Sequence, residues 1–157
     1  MATINSQVSL DYEKPPVSKR ESRTRLSDKL HEVELLLKEI MQEADEAAKE
    51  NPEAQAIPRA AYDESLSVLK VILRDVSMPD LMGLEDGGIC FEWRKGPEKI
   101  FTLSLYGNGY VIFVGIFGEK DKMRGVTPLL GKRTQIPRTL LEIISEHFPN
   151  ENTSRRI

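Results

Sequence analysis

The chain is short of the residues from which catalytic and metal sites are usually built. Cys90 is its one cysteine, so no internal disulfide can form, and a lone thiol suits a reducing compartment. His31 and His147 are its two histidines, far apart and without a second His or Cys at ligand spacing, which leaves a zinc site unsupported. Cys90 alternates with Phe91 in a strand-like run, and no base can be assigned to it, so it reads as a structural thiol. Glycines 83, 87, 88, 107 and 109 lack the Lys-Ser/Thr ending and the strand-to-helix setting of a phosphate loop. No apolar run approaches the roughly 20 residues of a membrane helix, and MATINSQVSLDYEKPPVSKR carries no apolar signal segment. Together these absences predict a cytoplasmic protein with no cofactor, no metal and no membrane partner. The charge gives no strong field either: 22 Lys and Arg against 25 Asp and Glu leave a net −3, too little to recruit nucleic acid or anionic lipid by itself.

What is present is a stretch of β-pattern from Asp86 to Phe117, holding the only Trp and Cys. Asn108-Gly109 is a strong hairpin signal, because both positions of a type I′ turn need positive φ. A two-residue loop there pairs Gly107 with Tyr110. Leu105 then lies opposite Ile112, Leu103 opposite Val114 and Phe101 opposite Ile116, all on one face. The other face receives Tyr106 with Val111 and Ser104 with Phe113. In the preceding hairpin, burial favours a three-residue loop at Lys95-Gly96-Pro97 that sets Phe91 opposite Phe101 and keeps Glu92 off the apolar face. Met123 to Leu130 offers a short fourth strand at the edge.

Helical patterns flank this sheet. Leu26, Leu30, Val33, Leu37, Ile40, Ala44 and Ala47 follow alternating steps of four and three, widened by Leu35, Leu36 and Met41, and Asn51-Pro52 is the expected stop. A second helix starts near Pro58 or Arg59, with Tyr62, Leu66, Leu69 and Leu73 flanked by Val68 and Ile72. The short connector implies an antiparallel hairpin that closes on the sheet. From Asp28 to Glu64 acidic residues outnumber basic ones by eleven to four, so its outer surface is acidic. Ser77-Met78-Pro79-Asp80-Leu81-Met82 reads as an apolar loop plugging the end of the core. Pro137 opens a last helix with Leu140, Leu141, Ile144 and Phe148 on one side.

The expected fold is therefore α+β: a helical hairpin over 21–75, a three- to four-stranded antiparallel meander within 86–130, and a closing helix over 137–148. Residues 1–20 read as a loosely attached leader and 149–157 as a tail.

Two resemblances bear on function. Gly87-Gly88-Ile89-Cys90-Phe91-Glu92-Trp93, preceded by Pro79, resembles a strand of small uncharacterised bacterial proteins, which often accompany mobile or defence-related gene pairs. It transfers no activity to any residue. Pro79-Asp80 with Glu92-Trp93-Arg94 is similar to the P-D…(D/E)-x-K signature of metal-dependent nucleases. Here arginine replaces lysine, and Asp80 precedes the first expected strand, so Asp80 and Glu92 are not expected to converge on a metal ion.

The leading expectation is a non-catalytic protein-interaction or regulatory module, antitoxin-like or defence-related, with Tyr106, Phe113, Glu92 and Thr102 on a partner-binding sheet face. The alternative is a nucleic-acid-binding protein using the basic 118–138 segment through Lys120, Lys122, Arg124, Lys132 and Arg133. A metal-dependent nuclease is the remote third reading.

Overall fold

The computed structural model describes residues 19–131 and 135–150. Residues 1–18 of the expected leader, residues 151–157 of the expected tail, and both Lys132 and Arg133 lie outside them. Among the described residues the order is α1 (Lys19–Glu50), α2 (Arg59–Ile72), β1 (Asp80–Gly83), β2 (Ile89–Lys95), β3 (Lys99–Leu105), β4 (Tyr110–Phe117), β5 (Asp121–Pro128) and α3 (Arg138–His147). The strands form one antiparallel sheet in sequence order, β1 to β5. The α+β reading holds, with five strands in place of three or four. The extra one, β1, comes from the stretch expected to be a loop.

The helices share one face of the sheet. Val33 and Leu37 of α1, Val68, Leu69 and Ile72 of α2, and Leu140 and Ile144 of α3 join a single buried cluster. Its sheet side is Ile89, Phe91, Trp93, Phe101, Leu103, Leu105 and Val111. Leu26, Leu30, Ile40, Met41 and Ala44 extend the α1 stripe, whereas Leu35 and Ala47 point to solvent. The last helix is tied in through its C-terminal end. The His147 ring stacks on Phe117 at 4.1 Å between centroids, and Phe117 stacks on Phe101 at 6.1 Å. Beyond α3 the backbone does not fray at once. Pro149 bridges Val76, and the Asn150 amide donates to the Asp75 carbonyl at 3.2 Å. Trp93 Nε1 donates to the Ser77 carbonyl at 2.8 Å, and Met78 and Leu81 pack against this end of the core, whereas Asp80 and Met82 of the same stretch lie on the other face of the sheet.

Both expected registers shift, with different consequences. In the first hairpin Trp93, not Phe91, pairs with Phe101, because the ladder continues to Lys95↔Lys99 and the loop is Gly96-Pro97-Glu98. A two-residue slide keeps every side chain on its face. In the second hairpin Leu105 pairs with Val111, Leu103 with Phe113 and Phe101 with Gly115. That is a slide of one residue, and it reverses β4: Val111, Phe113 and Phe117 turn to the helices, while Ile112, Val114 and Ile116 turn away.

A carboxylate from α2 holds this second loop. Glu64 Oε1 accepts the Gly107 amide at 2.8 Å and Oε2 accepts the Gly109 amide at 2.6 Å. Both glycines have φ of +82°, the left-handed region that glycine adopts without a Cβ penalty. A Cβ on Gly107 would come within 2.7 Å of the Ala61 backbone nitrogen, so the loop also sits against the first turn of α2. The wider loop, clamped to a helix, wins over the two-residue Asn-Gly turn that local chemistry favours.

Candidate interaction face

The register places two full rows and one shorter row of side chains on the face turned away from the helices. The first is Met82–Cys90–Ser104–Ile112–Val126 from β1 to β5. The second is Asp80–Glu92–Thr102–Val114–Arg124. The third, starting on β2, is Arg94–Ile100–Ile116–Lys122. Tyr110 and Pro128 pair beyond the first row. No described helix covers this face.

Five of its apolar members are open to solvent. Met82 is 37% exposed, Ile112 38%, Val114 40%, Tyr110 50% and Val126 63%. Single exposed apolar residues are ordinary, but a contiguous group of this kind marks a surface that something covers. Polar groups lie mostly at its margins. Asp80 and Glu92 occupy the β1–β2 side and Arg124 and Lys122 the β5 side. Arg94 lies 3.5 Å from Glu92 in an exposed ion pair. In the middle Cys90 is buried between its neighbours, and burial pushes its thiol pKa up. A hydrogen bond with Ser104 pulls the other way and is outweighed, while the Glu92 charge adds to the rise.

Of the residues expected to bind a partner, Glu92 and Thr102 are direct neighbours here. Tyr106 lies at the end of the same face. Its ring covers Gly88, and its hydroxyl donates to Asp86 at 2.9 Å. Phe113 does not belong to the group: with β4 reversed, it is half-buried on the helix side, over Gly125. Of the expected basic contacts, Lys122 and Arg124 project from β5 onto the open face, and Lys120 sits in the β4–β5 turn.

Asp80 and Glu92 require a correction as well. Because β1 is a strand, the two are cross-strand partners, and the ground for keeping them apart does not hold. No group of three or more His, Cys, Asp or Glu side chains able to hold a metal occurs among the described residues. No described helix is long and apolar enough to cross a membrane.

The residues the sequence did not single out are Met82, Tyr110, Ile112, Val114 and Val126. The two-residue Asn-Gly register puts Ile112 and Val114 on the core face instead. The Gly-Asn-Gly run and Gly115 opposite Phe101 are the features that could have placed them.

The chain matches no protein-family model, no curated protein and no solved structure.

Proposed function

We propose that this chain is a non-catalytic protein-interaction module and that its working surface is the helix-free face of the sheet. One observation carries the reading. The Met82–Cys90–Ser104–Ile112–Val126 row crosses the whole sheet, and its two ends and Ile112 are exposed. Covering such a row releases water from apolar area, the main favourable term in protein association. A regulatory or accessory subunit, antitoxin-like or defence-related, is the biological setting that the Gly-Gly-apolar-x-x-Glu-Trp resemblance suggests.

Ile112→Asp and Val126→Asp test it, since neither side chain supports the core. Affinity capture from cells that encode the protein, with parent and variants compared, should show partners lost from both variants at unchanged thermal stability. Equal capture by all three would remove this face as the working surface.

Nucleic-acid binding draws less support from the same face. Lys122 and Arg124 are present, but Phe113 is turned away, and Asp80 and Glu92 share a row with Arg124. A salt series on a single strand and a short duplex should show no binding even at low salt. Steeply salt-dependent binding would favour it instead.

A further inference from the structure

We infer that the occupant of this face is a second copy of the chain, packed sheet to sheet about a two-fold axis that runs along β3. This rests on the interaction reading and names its partner.

The charge layout selects both the partner and the axis. In the second row acidic Asp80 and Glu92 stand on β1 and β2, basic Arg124 stands on β5, and Thr102 lies at the centre on β3. A two-fold axis parallel to the strands, passing over β3, lays β1 over β5 of the second copy and β2 over β4. Asp80 then faces Arg124 of the second copy, and the same contact repeats on the other side. An isologous interface requires such self-complementarity. The other in-plane axis, across the strands, would lay β1 on β1 and β5 on β5, setting Asp80 against Asp80 and Arg124 against Arg124.

The apolar residues follow the same operation. Met82 lies over Val126 of the second copy, Cys90 over Ile112, Glu92 over Val114 and Arg94 over Ile116. Thr102, Ser104 and Ile100 meet their own counterparts near the axis. Lys122 extends past the short β1 and stays at the wet rim, and the Arg94 guanidinium keeps Glu92 as its partner. Aligned sheets usually cross at about 30°, reached here by turning the axis about 15° off β3, so these pairings are tightest near β3 and loosen toward the edges.

The size suffices. Strands about 4.8 Å apart, four residues long at β1 and seven to eight elsewhere, make a face of about 540 Å². Two copies bury about 1,100 Å² in total, the size of weak and transient interfaces, which implies a reversible dimer.

A charge-reversal cycle on the full chain tests this. Asp80 and Arg124 are four strand spacings apart within one copy, about 19 Å, so they cannot touch in cis. Sedimentation equilibrium should give a monomer–dimer equilibrium for the parent. Asp80→Arg and Arg124→Asp should each weaken it at least about ten-fold, because like charges then meet at both symmetry-related contacts. The double variant, Asp80→Arg with Arg124→Asp, should return to within about three-fold of the parent, since its pairs are complementary again. Far-UV circular dichroism melts, taken at a concentration where all four proteins are monomeric, should be unchanged. A parent that stays monomeric at high concentration, or a dimer that neither single reversal weakens or that the double variant fails to rescue, would overturn the inference. If it fails while Ile112→Asp and Val126→Asp still abolish capture of another protein, the interaction reading stands without the dimer. If those variants change nothing either, both fall.

Discussion

The Glu64 carboxylate receives the amide proton of Gly107 at 2.8 Å across 43 residues of chain, joining α2 to the β3–β4 loop. With the second bond to Gly109, one side chain fixes the loop that sets how β4 pairs, and so which residues the protein shows to solvent. Glu64→Ala leaves two amides without their charged acceptor and should destabilise the fold by about 2 kcal/mol. Glu64→Gln offers only one carbonyl oxygen and should fall between parent and alanine. Urea denaturation measures this ordering, and a glutamine variant as stable as the parent would count against the clamp.

The same loop makes a paired glycine test. Gly107 and Gly109 share a φ of +82°, but only at Gly107 does a Cβ meet α2. Gly109→Ala should cost about 1 kcal/mol, the conformational penalty alone. Gly107→Ala should cost at least about 1 kcal/mol more, because backbone rather than a flexible side chain stands in its way. Equal costs would mean that the loop does not rest on the helix.

Ser65 is fully buried on α2, and its hydroxyl has no hydrogen-bond partner among the described residues. Burying a hydroxyl unpaired costs roughly 1–3 kcal/mol. Ser65→Ala should therefore raise stability by about 1 kcal/mol in a thermal melt. A loss of that size would show that the hydroxyl is satisfied in solution.

Alkaline pH should weaken the fold through Cys90. Burial raises its pKa in the folded chain, so its neutral-thiol contribution is complete below the unfolded value of about 8.5. Above that the unfolded chain releases a proton that the folded one keeps, and stability falls until the folded thiol ionises too. Tyr106, raised by desolvation and then by its bond to Asp86, adds a similar loss at higher pH. Urea midpoints taken from pH 8 upward should decline in the parent and decline less in Cys90→Ala. Parallel curves would place the thiol in a solvated setting.

Much of the fold could be read from residue order. The steps of Leu26, Leu30, Val33 and Leu37, with Asn51-Pro52 and Pro58 as punctuation, mark the end of α1 at Glu50 and the start of α2 at Arg59. The faces of β2 are legible because Ile89, Phe91 and Trp93 alternate with Cys90, Glu92 and Arg94, and only one set is uniformly apolar. Strand β4 has no such asymmetry: Val111, Phe113 and Phe117 oppose Ile112, Val114 and Ile116, and either set could fill a core. Its direction depends on a contact from Glu64, which no local pattern announces. Strand β1 is too short, and too close to Pro79 and Gly83, for alternation to reveal it. Finding the open face needed both the β4 direction and β1, which is why Glu92 and Thr102 were found and Ile112 and Val126 were not.

The central claim is that Ile112 and Val114 lie on the opposite side of the sheet from Leu103 and Leu105. Methyl NOE spectroscopy on selectively labelled protein addresses it directly. The account predicts cross-peaks from Ile112 to Val126, its row neighbour, and from Leu105 to Val111, with none linking Ile112 to Leu105. Strong Ile112–Leu105 and Val114–Leu103 cross-peaks would contradict it and return both residues to the core.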